Sequence, residues 1–365
     1  MNILIIINVR WFNATAFYAL NLARILKKNN NKVYIVCNSN WPPYKIAKKL
    51  NLPVIGLNFY GYNLFRLLKN LKYLIRFIKE NNIEIINAHR SEDQTFGALA
   101  SFFTKKRFIL TRGDRRKIKS NFLNRIKYYK AASHIVLTSK SIYENNKKFL
   151  APIKDKVSII YGSIDEDNFK VTKSKKETKN KYKIPANKII IGMAGRYDIV
   201  KDQYTFMKAA LHLLQYHKNI HFILAGKEEE IKIKILKKMS ENYKKYFTFL
   251  KLIPDIADVI NIFDIGVITS IASETITRVG FEYMYLGKPI IGTKVNAIKE
   301  IIRNKKNGFL ITPGNYKQLS FYLSTLIKNK QLLKNMGEES KRLYKKLYSE
   351  NIFYEKSIKI FKKAK

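Results

Sequence analysis

Two doubly wound α/β domains in tandem are the architecture this sequence predicts, on three observations. Short unbroken Ile/Val runs alternate with helix-period segments along the whole chain. Runs of that kind, unlike alternating ones, belong to strands buried on both faces, hence to parallel sheets covered by helices. The pattern breaks once, over residues 171–183 (VTKSKKETKNKYK), which hold almost no large apolar side chain and read as a charged, solvated linker or surface segment. The length of 365 residues also suffices for two cores, at roughly 100–200 residues per domain.

The opening MNILIIIN has no basic n-region and its apolar run stops at Asn8, so it reads as a first strand, Ile3–Ile7, rather than a signal segment. The strands expected after it are Lys32–Val36, Pro53–Leu57, Glu84–Asn87, Phe108–Leu110, His134–Leu137 and Val157–Ile160. Helices are expected at Ala14–Lys28, Leu64–Lys79 and Lys140–Phe149. In Leu64–Lys79, residues Leu64, Leu67, Leu68, Leu71, Leu74, Ile75 and Ile78 share a face opposite Arg66, Lys69, Lys72, Arg76 and Lys79. Packing of that face on the sheet is the expectation, with a membrane-surface helix as the alternative. Beyond the linker come strands Ile189–Met193, His221–Ala225, Thr248–Leu250, Asp264–Ile268, Pro289–Gly292 and Phe309–Ile311. The helices between them are Gln203–Tyr216, Glu229–Asn242, Thr275–Leu286 and Asn315–Lys328, and a last one covers about 351–363. No apolar run approaches the ~18 residues of a span. A ligand is expected at the carboxyl ends of the strands, in a central cleft that the two domains face.

Composition narrows the class. An apolar content of 46%, with only 15 Gly and 8 Pro, excludes a disordered or collagen-like chain. A single cysteine, Cys37, excludes an intrachain disulfide framework and fits a reducing, cytoplasmic compartment. The net charge of +43 invites a polyanion-binding reading. Its cations are mostly lysine and divide evenly between the halves, whereas a nucleic-acid footprint gathers on one face. Two readings stay open: a compositional lean toward lysine, or attraction to anionic lipid or a phosphorylated glycolipid. Locally, Arg112, Arg115, Arg116, Lys117, Lys119, Arg125, Lys127 and Lys130 crowd one stretch, a candidate face for an anionic acceptor.

The chemistry gathers in the second half. After the strand IIIGMA stands Gly195-Arg196-Tyr197-Asp198-Ile199-Val200-Lys201. Gly195 permits close backbone approach, and Arg196 and Lys201 can meet one diphosphate from two sides. After DIGVIT comes SIASETITRVGFE, where Ser273 is a candidate N-cap and the N–H groups of residues 275–278 would face an anion. Glu274 would sit at that mouth, with Glu282 about two turns into the helix. No P-loop, G-x-S-x-G elbow or dinucleotide fingerprint is present, and no His/Cys set has metal-ligand spacing. Asp165-Glu166-Asp167 spells D-x-D, but in a presumed interdomain loop, so no metal is expected there.

Taken together, the E-x7-E pair on the penultimate crossover and the G-R-x4-K loop resemble the retaining family 4 glycosyltransferases of the GT-B fold. IINAHRSED, IIYGSIDEDNF, HFILAG and NGFLITPGNYKQL are similar to further segments of that family, including lipopolysaccharide and surface-polysaccharide enzymes. The resemblance implies two Rossmann-like domains, an acceptor-side one at 1–170 and a donor-binding one at 171–349, with the terminal helix, about 350–365, packed back on the first. It implies that Arg196 and Lys201 bind the donor diphosphate, Glu282 the ribose, and Glu274 the donor sugar, helped by backbone N–H groups of Ile276, Thr277 and Arg278. His89 would touch the sugar or the reacting centre. Catalytic roles fall to Glu274, His89, Arg196 and Lys201, while Arg10, Asn13, Arg112, Arg115 and Arg116 are acceptor or anionic-surface candidates. The first loop departs from the family by lacking its Gly-Gly pair, and Gly226-Lys227-Glu228 lacks a second glycine.

The implied reaction moves a sugar from a nucleotide-diphosphate donor to a glycan or glycolipid acceptor, with retained configuration. No cofactor and no metal are called for, and the enzyme would be cytoplasmic, with an anionic membrane surface as a further partner. The alternatives are a polyanion- or nucleic-acid-binding α/β protein and a nucleotide-sugar epimerase on the same fold. Nucleic-acid binding would weaken steeply with salt and ignore Arg196→Ala; an epimerase would release product without an acceptor.

Overall fold

The computed structural model describes residues 1–227, 230–251, 254–272 and 274–363. The chain divides into two compact units, Met1–Ser163 with Glu350–Lys365, and Ile164–Ser349. Each carries one all-parallel sheet, giving two Rossmann-like domains in tandem.

The first unit's strands are β1 Asn2–Ile6, β2 Lys32–Cys37, β3 Val54–Gly56, β4 Ile85–Ala88, β5 Arg107–Arg112, β6 His134–Leu137 and β7 Val157–Ile159. They lie in the order β3-β2-β1-β4-β5-β6-β7. The second unit holds β8 Ile189–Ala194, β9 Ile220–Ala225, β10 Phe247–Leu250, β11 Ile265–Ile268, β12 Ile290–Thr293 and β13 Gly308–Ile311. Their order is β10-β9-β8-β11-β12-β13. Strand order reverses between β1 and β4 in one sheet and between β8 and β11 in the other. Loops leaving adjacent strands there diverge to opposite faces and open a crevice at the carboxyl edge. Central strands are sealed on both sides: Ile3 to Ile6 and all of Ile220–Ala225 are buried, as unbroken apolar runs require.

Several helices differ from expectation. Ser91–Thr104 was not legible because its buried stripe is Asp93, Gln94, Gly97 and Ala100, small and polar residues that mute the apolar period. Pro42–Lys49 is also additional. The expected Lys140–Phe149 breaks at Asn146, whose amide donates to the Ile142 carbonyl (2.8 Å) while its oxygen accepts from Ile118 N (2.7 Å). In Leu64–Glu80 only Leu71, Leu74 and Ile78 are buried, and Leu64, Phe65 and Leu68 stay 67%, 81% and 56% exposed. Core packing therefore holds for the second half of that helix alone.

Of the two readings of 171–183, the structure bears out the surface segment and not the linker. Ser174 and Glu177 form a capping box on a helix Lys175–Lys181, and Thr172 N, Thr172 Oγ1 and Lys173 N all donate to the buried Asp258 carboxylate. Those bonds tie the stretch to the second unit, whose limit falls at Ile164. At the far end, helix Glu350–Lys363 returns to helix Ala14–Lys28 of the first unit. Phe353 lies 4.8 Å from Tyr18 between ring centroids, Glu350 pairs with Arg24, and the Phe361 carbonyl accepts from Arg107 Nη1 at 2.9 Å. Among the described residues, no helix is long and apolar enough to cross a membrane.

Candidate functional site

In the second unit the loops leaving β8 and β11 meet at the sheet's reversal point. The β8 loop turns on Gly195, at φ +153, and is held by Gly195 N to Ala225 O (2.8 Å) and Tyr197 N to Lys227 O (3.2 Å). Gly226 has no room for a side chain: a Cβ there would lie 1.8 Å from the Gly195 carbonyl oxygen. The β11 loop is stitched to it by Ile271 N to Val200 O (2.8 Å) and by Thr269 Oγ1, which donates to the carbonyls of Lys201 and Asp202, each at 2.9 Å.

Across this junction Lys201 Nζ pairs with Glu274 Oε1, and the same oxygen accepts from Ser270 Oγ at 2.9 Å. Glu274 and Ser270 are buried, and the Glu274 carbonyl is fixed by Ala297 N at 2.8 Å. A carboxylate in so little water needs a counter-charge, which the ammonium supplies. Arg196 behaves differently. Its side chain is 72% exposed and, among the described residues, pairs with Asp198 alone, 3.2 Å away, while its carbonyl is held by Gln203 Nε2 at 2.6 Å. Lys201, Glu274 and Ser270 thus converge, with Arg196 on the open side of the same loop. Ser270 escaped the sequence reading; its position four residues before Glu274, at a strand exit, was the available signal.

The helix after Glu274 starts later than expected. It spans Arg278–Tyr285, with Thr277 at the N-cap. Glu274, Ile276 and Thr277 therefore belong to the approach and not to a first turn, which begins with Arg278. The proposed N-cap Ser273 lies outside the described residues, as does Glu228. Thr277 Oγ1 is buried without a partner among the described residues. Glu282, the fifth residue of the helix, is buried and paired with Arg278 Nε at 3.0 Å.

The first unit has its own polar nest at the β1/β4 reversal. Asp93 is fully buried and accepts from Asn8 N at 2.8 Å and Asn8 Nδ2 at 2.9 Å; burial pushes its carboxyl up to about 7. His89 follows β4, its backbone N donating to Ile6 O at 3.2 Å. Its ring is buried, 5.9 Å from the Tyr18 ring centroid, and neither nitrogen has a partner among the described residues. Burial drives its pKa down to about 3, so it is a neutral imidazole with a free donor and a free acceptor.

The remaining candidates scatter. Asn13 caps helix Ala14–Lys28 by accepting from Ala16 N, so its side chain is already engaged. Arg10 stacks on Tyr60 at 4.3 Å. Arg115 and Arg116 are exposed, and Arg116 grips Asp114 through Nε at 2.7 Å. Arg112, at the end of β5, is buried. In the D-x-D stretch, Glu166 accepts from the Tyr344 hydroxyl at 2.7 Å.

Comparison with known proteins gives the chain its relatives. Residues 174–343 match the model for glycosyl transferases group 1, and residues 15–168 that for glycosyltransferase family 4. An uncharacterized glycosyltransferase of Methanocaldococcus jannaschii is 26% identical over 359 residues, 93% of this chain and 85% of that protein. The N,N'-diacetylbacillosaminyl-diphospho-undecaprenol alpha-1,3-N-acetylgalactosaminyltransferase of Campylobacter jejuni is 24% identical over 363 residues, 94% of either chain. The solved structure of Anabaena Alr3699/HepE in complex with UDP superposes with a TM-score of 0.85 at 19% identity, covering 100% of both chains.

Proposed function

The chain belongs to the glycosyltransferases, its two units carrying the family 4 and group 1 domains in turn, and from that premise we propose that it is a retaining enzyme using a nucleotide-diphosphate sugar. The acceptor is a glycan or glycolipid of a surface polysaccharide or lipopolysaccharide. Relatives with capsular-polysaccharide and diphospho-undecaprenol substrates in their names support that class. The observation that carries the reading is the Lys201–Glu274–Ser270 cluster at the sheet reversal, beside a loop closely packed through Gly195 and Gly226.

In this reading Lys201 and Arg196 take the donor diphosphate and neutralise the charge that grows on the departing phosphate. Gly195 lets the backbone approach, with N–H groups near Ile276, Thr277 and Arg278 assisting. Glu282 holds the ribose, and Glu274 accepts from hydroxyls of the donor sugar. His89 contacts the sugar or acceptor as a neutral donor and acceptor. The bond between the anomeric carbon and the phosphate oxygen breaks while the acceptor oxygen bonds to the same face of that carbon. The acceptor hydroxyl's proton passes to the leaving phosphate, so the protein needs no separate base, metal or cofactor. The enzyme works in the cytoplasm, peripherally at the membrane's inner face. The exposed Leu64, Phe65 and Leu68 amid Arg66 and Lys69 support that placement.

The test is a calorimetric screen of UDP-, GDP- and ADP-sugars, followed by NMR of the product. Saturable binding to one nucleotide class, weakened at least tenfold by Arg196→Ala, and a product with the donor's anomeric configuration are expected. Wild-type affinity in Arg196→Ala, or an inverted product, overturns the reading.

A further inference from the structure

At the carboxyl end of β5 the first unit buries more positive than negative charge. Arg112 and Lys127 are each more than nine-tenths buried. Arg112 donates to two neutral acceptors, the Tyr128 hydroxyl at 3.2 Å and the Arg116 carbonyl at 2.5 Å, and its Nε has no partner among the described residues. Lys127 Nζ rests 5.9 Å from the Tyr128 ring centroid and makes no hydrogen bond or ion pair among the described residues. Of the nearby carboxylates, Asp114 is occupied by the backbone N and guanidinium of Arg116, and the half-buried Glu92 acts on Lys127 only through space. Burial, and then the Arg112 guanidinium, push the Lys127 ammonium down to about 8. Asp114 and Glu92 offset these two charges only through space, since neither carboxylate bonds to Arg112 or Lys127 among the described residues. A desolvated pair of like charges so weakly compensated is costly, and an anion seated between them lowers the cost.

We propose that Arg112 and Lys127 form an anion site, separate from the donor site, that takes a phosphate or diphosphate ester carried by the acceptor. The proposal rests on the glycosyl-transfer reading for the word acceptor but not for the site itself. Lys127 and Tyr128 are delivered by a π-helical turn, Ile126–Ala131, a wound segment often kept where a side chain must be aimed. The free Nε–H, beside a guanidinium fork already fixed by two bonds, is preorganised for phosphate oxygens. Acceptors without a phosphate would lack this anchor.

The experiment follows acylation of Lys127 by N-acetoxysuccinimide at pH 8, read by peptide mass spectrometry. Inorganic pyrophosphate should slow the reaction at least fivefold in the full-length protein and equally in Arg196→Ala, and Arg112→Gln should abolish the protection. Calorimetry on Lys127→Gln, which does not depend on Arg112→Gln folding, should show pyrophosphate binding weakened at least tenfold. Geranyl diphosphate should protect as well as pyrophosphate, and monomeric dihexanoyl phosphatidylglycerol should not. Protection that survives Arg112→Gln, or disappears in Arg196→Ala, overturns the proposal. So do unchanged affinity in Lys127→Gln and equal protection by the phospholipid, which would mark a headgroup site. Failure of the donor reading alone would leave protection by pyrophosphate intact while no nucleotide sugar binds.

Discussion

At the scale of the residue, Lys201 and Glu274 are each the other's counter-charge, and a donor phosphate would have to draw the ammonium away. Removing one partner strands the other in low dielectric, at about 3–5 kcal/mol, whereas removing both is close to neutral. Lys201→Met should therefore lower stability markedly, and Lys201→Met/Glu274→Gln should recover most of the loss in denaturant unfolding while both variants stay inactive in transfer. A double variant as unstable as the single one would show that the pair is not coupled. His89 gives a second prediction. Its folded pKa, about 3, lies below the ordinary 6.5, so between those values the unfolded chain binds more protons. Its contribution is thus full above pH 6.5 and is lost as pH falls toward 3. Asp93 runs the other way, since its raised value makes stability fall as pH rises from about 4 to about 7. His89→Gln should make the slope of melting temperature against pH between 4 and 6.5, measured by circular dichroism, less positive than in the parent, and an unchanged slope would contradict the assignment.

At the scale of the element, the loop between β8 and its helix depends on contact with the residue that follows β9. Gly226→Ala would drive a methyl group into the Gly195 carbonyl, and only a backbone shift relieves that overlap. Donor affinity should fall at least tenfold in calorimetry, with a smaller loss in melting temperature; unaltered affinity would show that the loop does not bind the donor. Among the described residues the central strands were legible because burial on both faces leaves an unbroken apolar run that other elements rarely imitate, and the edge strands β3, β7 and β10, only partly buried, as shorter runs of the same kind. Helices were legible only where one face is apolar. Ser91–Thr104 buries Asp93 and Gln94 for the sake of the polar nest around Asn8 and Thr111, and so lost its period. The Arg278 start was misplaced because Ser, Glu and Thr residues before it mimic an N-cap and first turn. At the candidate site, residue types and spacing picked out Lys201 and Glu274, which the structure brings together. Nothing in the spacing says that Arg196 would be open while Lys201 is engaged, or that Lys127 would be buried, since those depend on which loops the sheet brings together.

At the scale of the whole molecule, the first unit is assembled from both ends of the chain. Phe353 and Phe361 are buried in it, and Phe353 packs on Tyr18, whose hydroxyl donates to Ile160 O at 3.0 Å. Phe353→Ala should cost about 3–5 kcal/mol, a typical loss for emptying an aromatic site. It should appear as a lower first transition in differential scanning calorimetry, and an unchanged thermogram would mean that the terminal helix does not support that unit. The same arrangement sets an order of events on the ribosome. Residues 164–349 are synthesised as one uninterrupted stretch and can complete their contacts as they emerge, whereas the N-terminal sheet must wait for residues 350–363 before its Tyr18 face is covered. Every translation arrest before residue 350 therefore leaves an aromatic surface uncapped, a ready substrate for chaperones and proteases.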